Sequence, residues 1–376
     1  MPDQKATRRC GLGAMRLVGH ILGRRLDGQD PDPDTLAGAD WDEAVRCAAL
    51  AKVLPALGAA LAGPSLQRLP EPAATLLSEA AAANGARNVR LRAELSEIVR
   101  LLHGAGLRPV LLKGAIRLID DLYPSPAWRF LGDLDLLLPD AGAAETACRL
   151  LTEAGWGTRE YPSGAARPEH HLPPLRRPGG AAALEIHTAL FDDPRLASVL
   201  AARDVLRDAA AVTVGSITVC IPSREHQLRH VVAHAQLHHR LHAVGRLDLR
   251  GLLETRLLLA SIGPSSAQDL VHALGRVGHG SAAEAWLLTL QDLMGMPPGI
   301  PTTRAGLWAH LMMRRGMLQQ NHAWADALGA AAGFYVSTAD LVLSETARRG
   351  RFLRNVTTAD FYRRRYCEVR RLLGTR

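Results

Sequence analysis

Apolar residues recur every three or four positions over two long stretches in the first third of the chain. These stretches run from Trp41 to Leu61 and from Pro72 to His103, and Pro64 and Pro70 separate them. Such spacing places the apolar side chains on one face of an α-helix, and proline interrupts helices. The pattern therefore predicts a helical region over residues 1–105.

The pattern changes after residue 105, where short apolar runs alternate with turns. Short apolar runs bounded by turns predict β-strands, and here they cover residues 109–112, 134–138, 183–186 and 212–221. In the last run, Gly215-Ser216 separates two segments rich in β-branched residues, which is typical of a hairpin. Helical spacing returns after Pro222.

Together these patterns predict an α+β fold, in which a small mixed β-sheet is flanked by helical regions. The expected boundaries are 1–105 for the N-terminal helical region, 106–222 for the core, 223–347 for a C-terminal helical domain and 348–376 for an Arg-rich tail. No stretch approaches the roughly 18 uninterrupted apolar residues of a membrane span. The five cysteines form no CxxC motif, which disfavours a zinc knuckle or a disulfide framework. We expect a cytoplasmic protein.

Positive charge is concentrated at the end of the chain. The sequence has 45 basic and 37 acidic residues, and all but three of the basic residues are arginine. Residues 348–376 contain ten arginines against Asp360 and Glu368, so this segment carries as much charge as the net +8 of the whole chain. Its interleaved aromatic residues are typical of a nucleic-acid-binding tail. A terminal helix with arginine on its solvated face is the alternative interpretation.

Two carboxylates stand close together in an apolar run. Asp133 and Asp135 are two residues apart, so in a strand they project from the same face. Neighbouring carboxylates repel each other unless a cation lies between them. Mg²⁺ or Mn²⁺ meets that need, because these ions bind carboxylate and phosphate oxygens. Alternatively, Asp133 caps the strand and Asp135 faces solvent.

The surrounding residues favour the metal interpretation. Lys113-Gly114 follows the run 109–112 and opens a helix predicted over about residues 115–122. A glycine at the start of a helix lets phosphate approach backbone N–H groups. Glu185, the one charged residue of a short apolar strand, adds a third acid. Three acids and a glycine turn predict a site for two-metal phosphoryl or nucleotidyl transfer.

At these residues the sequence resembles the uncharacterised bacterial nucleotidyltransferase family of the DNA polymerase β-like superfamily. The resemblance extends over about residues 84–255. Its motifs, in order, are Leu112-Lys113-Gly114, Tyr123-Pro124, Arg129, Gly132 to Asp135, His170 to Leu175, Glu185-Ile186-His187 and Asp248. The resemblance implies a small mixed sheet with flanking helices and Mg²⁺-dependent transfer of a nucleoside monophosphate from an NTP. It also implies that Asp133, Asp135 and Glu185 bind the metal.

Four further residues are expected to bind the nucleotide. They are Lys113, Gly114, Gly132 and Arg129, the last as a candidate phosphate contact. An arginine merely exposed at the surface is the alternative for Arg129. The wider superfamily has Gly-Ser or Gly-Gly where this chain has Gly114-Ala115, which removes a hydroxyl that could contact the triphosphate.

Histidines near the third acid are candidates for an acceptor contact or a general base. His171 precedes Glu185, and His187 follows it by two residues. Imidazole titrates near neutral pH and therefore suits proton transfer. Two-metal nucleotidyl transfer does not strictly require a protein base. Proton transfer by His171 or His187 is therefore one alternative, and a reaction without a protein base is the other.

A second group of histidines recurs every four residues on a helix predicted from Ser223 to about Ala243. Its members are His226, His230, His234, His238 and His242. A four-residue step in an α-helix drifts by roughly 40°, so only neighbouring pairs could bind one ion. The helix also lacks the glutamate of an HExxH motif, which disfavours a zinc hydrolase. Core or interface histidines are favoured over a metal site.

The sequence therefore predicts an enzyme, a nucleotidyltransferase that uses Mg²⁺ (or Mn²⁺) and an NTP, which we expect to be ATP. The acceptor is a hydroxyl on a small molecule, RNA or protein, and the sequence does not discriminate among these. A catalytically weak nucleotide-binding or antitoxin-like interaction module is the alternative from another class. The three acids favour the enzyme, whereas Ala115 favours the module. RNA binding through the basic tail is compatible with either.

Overall fold

A computed structural model describes residues 10–158, 170–215, 217–300 and 305–322 of the chain. The predicted Arg-rich tail lies outside these residues. The strands are β1 (Val110–Leu112), β2 (Asp133–Leu137), β3 (Gly157–Thr158), β4 (Leu175–Arg176), β5 (Ala183–His187), β6 (Ala210–Val214) and β7 (Ile217–Ile221).

Helices precede and follow this sheet in the sequence. Before β1 they are α1 (Leu12–Leu26), α2 (Pro33–Ala37), α3 (Trp41–Leu50), α4 (Leu54–Leu61) and α5 (Glu71–Gly104). Between the strands lie α6 (Lys113–Ile116), α7 (Ala141–Glu153) and α8 (Ala202–Asp208). After β7 come α9 (Arg224–Ala233), a π-helical segment (His234–His238), α10 (Leu241–Val244), α11 (Leu249–Ile262), α12 (Ser266–Gly275), α13 (Gly280–Met294) and α14 (Leu307–Asn321). None of the described helices has the length and apolar character that crossing a bilayer requires.

The strands form one mixed sheet in the order β3-β4-β5-β2-β1-β7-β6. The central strand β2 pairs parallel to β5 and antiparallel to β1. The predicted hairpin is confirmed, since β6 and β7 pair in antiparallel register around Gly215, whose φ of 61° suits a tight turn. The described residues therefore have the α+β fold that the sequence predicts.

Apolar side chains cover both faces of the sheet. On one face, Leu134 and Leu136 pack with the second half of α5, which contributes Leu91 and Leu95, and with α7. On the opposite face, Leu112 belongs to a core to which α1, α3, α4, α9, α11 and α13 contribute. The N-terminal and C-terminal helices thus form one continuous core, and the domain boundaries given above stay a prediction.

Two predicted helices differ in the structure. The stretch from Trp41 to Leu61 is divided into α3 and α4 at Lys52, whose φ is 59°, and Pro55 lies in the first turn of α4. Proline cannot donate the hydrogen bond that would continue the preceding helix. The prediction of a helix over residues 115–122 is wrong in its extent. The observed helix, α6, begins at Lys113 and spans one turn.

The predicted histidine-bearing helix is also interrupted. It consists of α9, the π-helical segment and α10, and Arg240 separates the last two with a φ of 57°. A residue with positive φ cannot continue a right-handed helix. The π-helical segment changes the rotation between successive histidines, so His234 and His238 stack with their ring centroids 5.0 Å apart.

Candidate active site

The register of the three central strands brings two of the predicted acids together. Asp135 of β2 is paired with Leu112 of β1 on one side and with Glu185 of β5 on the other. Paired residues of neighbouring strands direct their side chains to the same face. Asp135 and Glu185 therefore lie side by side, and Asp133 occupies the same face at the start of β2.

Asp135 is the centre of this cluster and is completely buried. Its Oδ1 accepts hydrogen bonds from Lys113 Nζ at 2.7 Å and from His187 Nε2 at 2.8 Å. His187 Nε2 also lies 3.6 Å from Glu185 Oε2. A lysine and a histidine thus contact the buried carboxylate from the ends of the two strands that flank β2.

These contacts shift the pKa values of the cluster. Burial raises the pKa of Asp135, but the Lys113 ammonium and the His187 hydrogen bond outweigh it, so the pKa lies well below its usual range. Burial lowers the pKa of His187, and its hydrogen bonds to Asp135 and Glu185 reverse the shift. The pKa of Asp133 is raised by burial and by repulsion from Asp135 and Glu185. Lys113 and Arg250 lower the pKa of Asp133 in turn, but burial and repulsion outweigh them.

Lys113 reaches Asp135 from a strained backbone. Its φ of 49° is in the left-handed region, which is uncommon for residues other than glycine and is often found at functional sites. Burial lowers the pKa of Lys113, but the attraction of Asp135 outweighs burial and raises it. The side chain is therefore a charged ammonium that directly follows β1.

A cavity of about 250 Å³ lies next to the cluster. Its lining includes Asp133. It also includes three of the residues predicted to bind the nucleotide, namely Lys113, Gly114 and Gly132. Gly114 is buried, and a Cβ built there would lie 3.2 Å from Leu131 Cγ, so a larger side chain would crowd this turn. The neighbouring side chain of Ala115 is fully buried.

Arg129 also lines the cavity, but other groups already bind its guanidinium. Its Nε lies 3.0 Å from Glu254 Oε2, and its Nη1 donates to the Phe130 carbonyl. Arg117 Nε lies 3.3 Å from the other oxygen of Glu254. Glu254 of α11 thus holds two buried arginines, and a phosphate contact by Arg129 stays a prediction.

The two candidate base histidines lie beside Glu185. His171 Nε2 is 3.9 Å from Glu185 Oε2, and a hydrogen bond of 2.7 Å joins its Nδ1 to the Leu172 carbonyl. His187 is completely buried and bound to Asp135. His171 therefore has one nitrogen directed towards the carboxylates, whereas the contact with Asp135 fixes the orientation of His187.

Most of the regularly spaced histidines belong to the same region. His226, His230 and His234 line the cavity, together with His239. Burial and the nearby Lys113 lower the pKa of His230 to about 3, and the pKa of His234 also falls well below its usual value. These side chains are therefore neutral near pH 7.

Two cations in the cavity wall were missed by the reasoning from sequence. Lys52, between α3 and α4, and Arg250, in the first turn of α11, both line the cavity. Neither forms a hydrogen bond or an ion pair through its side chain with any described residue. The scarcity of lysine was an available signal, since Lys52 and Lys113 are two of only three lysines in the chain.

The cluster fits a divalent cation. Asp135, Glu185 and His187 each offer one atom that could bind a metal, and these three atoms lie within 4.8 Å of one another. The second carboxylate oxygen of Asp135 is buried and accepts no hydrogen bond within the described part of the chain. A buried carboxylate oxygen without a partner is costly, and a metal ion would satisfy it.

The fold agrees with a comparison to protein families. The sequence profile of the family described as "Uncharacterised nucleotidyltransferase" matches residues 37–295, which is a longer range than the motifs alone indicate. A comparison with curated proteins finds no match. The match covers more than half of the chain, and the chain therefore belongs to this family of nucleotidyltransferase enzymes.

Proposed function

We propose that the protein transfers a nucleoside monophosphate from an NTP, with ATP as the expected donor, to a hydroxyl group of an acceptor. In this reaction the acceptor oxygen forms a bond to the α-phosphorus while the bond to pyrophosphate breaks. The observation that carries the proposal is the shared face of Asp133, Asp135 and Glu185 beside a cation-lined cavity. In this arrangement the carboxylates would hold the divalent ions and the cavity would take the triphosphate.

Asp133, Asp135 and Glu185 would hold the divalent ions, Mg²⁺ or Mn²⁺, of a two-metal site. Such ions supply positive charge that stabilises the developing charge on the phosphates. The raised pKa of Asp133 supports this role, because it results from burial and from repulsion by Asp135 and Glu185, which Lys113 and Arg250 offset only in part. His187 and Lys113 hold the buried Asp135 in place from both sides.

Lys52 and Arg250 are our candidates for binding the triphosphate. Both line the cavity that Gly132 and Asp133 also line, and no described carboxylate pairs with either. A cation that is already paired with a carboxylate must give up that ion pair when it binds phosphate. Among the described residues, Lys52 and Arg250 have no such ion pair to lose. Lys113 and Arg129 are less available, because carboxylates already bind them.

A proton leaves the acceptor hydroxyl during the reaction, and His171 is the candidate that fits best. If its Nδ1 donates to the Leu172 carbonyl, its Nε2 has a free lone pair beside Glu185. His187 suits a positioning role, because it is buried and donates to Asp135.

One observation favours a second candidate, a module that binds nucleotides without turnover. Lys113 already places a positive charge 2.7 Å from Asp135, and a lysine in that position can replace part of the charge of a metal ion. Such a module would bind NTP through Lys52 and Arg250 but would release no pyrophosphate.

Incubation with α-labelled NTPs tests the proposal. The full chain is supplied with Mg²⁺ or Mn²⁺ and, separately, with RNA, with a pool of small hydroxyl compounds and with no acceptor, which reveals self-labelling. We expect label transfer in at least one reaction and none with EDTA. NTP binding without label transfer or pyrophosphate release in any reaction would favour the second candidate.

A further inference from the structure

A second set of metal-binding side chains lies beside the candidate active site. His170, Asp192 and His238 each present a donor atom, and these atoms lie within 4.8 Å of one another. His170 Nδ1 is 2.6 Å from Asp192 Oδ1, and the His170 and His238 rings have centroids 5.0 Å apart. Three separate segments of the chain thus converge on one point.

This set shares no residue with the carboxylate cluster of Asp135, Glu185 and His187. The two sets are neighbours, since the His170 and His187 rings have centroids 5.3 Å apart. Their chemistry differs, because one has two carboxylates and one imidazole, whereas the other has two imidazoles and one carboxylate. Nitrogen-rich sets favour Zn²⁺, whereas oxygen-rich sets favour Mg²⁺ and Mn²⁺.

The surroundings provide orientation and access. The ring of His234 stacks on His238 at an interplanar angle of 18°, and the His170 backbone N–H donates to Asp192 Oδ1 at 3.1 Å. Groups that orient the ligands in this way are typical of metal sites. Asp192 has a side chain that is 44% exposed, so water can reach the site and occupy a fourth position.

We propose that His170, Asp192 and His238 bind one Zn²⁺ ion, separate from the divalent ions of the transfer reaction, with one coordination position open to solvent. Zn²⁺ with three protein ligands and one open position is the arrangement of catalytic zinc sites. The binding of Zn²⁺ itself does not depend on the proposed transfer activity.

Metal titration of the full chain, tag-free, stripped with chelator and without nucleotide, tests this proposal. Zn²⁺ binding is followed by calorimetry, and Co²⁺, as a spectroscopic substitute, by its visible absorption. We expect one tight Zn²⁺ equivalent that millimolar Mg²⁺ does not displace. His238→Gln and Asp192→Asn should weaken it at least tenfold, whereas the matched control His242→Gln should not.

Circular dichroism tests whether each variant is folded. Asp192 is exposed, so Asp192→Asn is less prone to disturb folding than His238→Gln. Absence of a tight Zn²⁺ equivalent would overturn the proposal. So would a site that Asp192→Asn leaves unchanged, or one that Glu185→Gln removes while His238→Gln does not. Label transfer is measured separately in Mg²⁺, so failure of the zinc site and failure of the proposed function give different results.

Discussion

Lys113 Nζ lies 2.7 Å from Asp135 Oδ1, and Asp135 is completely buried in the central strand of the sheet. The lysine directly follows β1 with a left-handed backbone, and the aspartate lies in the middle of β2. The antiparallel register of β1 and β2 places Leu112 opposite Asp135, so the next residue can reach the carboxylate. The ion pair therefore links the turn after β1 to the predicted metal-binding strand.

Replacement of Lys113 should destabilise the fold. Lys113→Met leaves a fully buried carboxylate with only His187 as a partner, and loss of one member of a buried ion pair costs about 3 kcal/mol. Urea unfolding at pH 7 measures this change. The control Lys52→Met removes an exposed lysine of the same cavity and should change the unfolding free energy by less than about 0.5 kcal/mol. Equal effects of the two substitutions would contradict the importance of the ion pair.

NTP binding should depend on Lys52 and Arg250. Lys52→Met and Arg250→Met each remove a cavity cation that no described carboxylate pairs with, so we expect about tenfold weaker binding of ATP with Mg²⁺. Fluorescence titration with a labelled ATP analogue measures the Kd. Arg92→Met, on the exposed surface of α5, serves as the control for loss of positive charge. If the Arg92 variant weakens binding as much as the other two, the phosphate position is wrong.

Acid should destabilise the protein through its buried neutral histidines. Burial and the nearby Arg315 and His279 lower the pKa of His242 to about 4. The unfolded chain, with an ordinary histidine pKa of about 6.5, therefore binds the proton more readily, and stability falls as the pH decreases from about 6.5 to about 4. Between pH 7 and pH 5 this histidine should account for a loss of about 1 to 2 kcal/mol.

The variant His242→Gln isolates that contribution. Its unfolding free energy, measured in urea with EDTA present, should decrease less between pH 7 and pH 5 than that of the parent. Carboxylates and the other histidines titrate in both proteins, so their contributions to the unfolding free energy cancel when the two pH profiles are compared. Parallel pH profiles for the two proteins would mean that His242 is not held in its neutral form.

The strands and the acids could be predicted from the sequence because local pattern determines them. The apolar run that contains Asp133 and Asp135 predicts a strand, and its two-residue period places both acids on one face. The partner of Lys113 could not be predicted, because it depends on a left-handed backbone that the sequence does not signal. Lys52 and Arg250 meet at the cavity only through the packing of helices distant in the sequence.

Arg129 illustrates the same distinction. Its position before the carboxylates indicates a phosphate contact, but Glu254, more than a hundred residues later, forms an ion pair with it. Asp248, also part of the resemblance, caps α11 by accepting a hydrogen bond from the Gly251 N–H at 3.0 Å and lines the cavity. Local sequence identifies chemical groups, whereas tertiary packing decides which of them are already paired.

The central claim is that metal-dependent nucleotidyl transfer depends on the acids of β2 and β5. The most direct measurement is the initial rate of pyrophosphate release from ATP with Mg²⁺, for the parent, Asp133→Asn and Glu185→Gln, with the acceptor that the labelling experiment identifies. Both acids are only partly buried, so the variants should fold, as circular dichroism would verify. We predict a rate at least about a hundredfold lower in each variant. A folded Asp133→Asn protein that releases pyrophosphate at the parental rate would contradict the account.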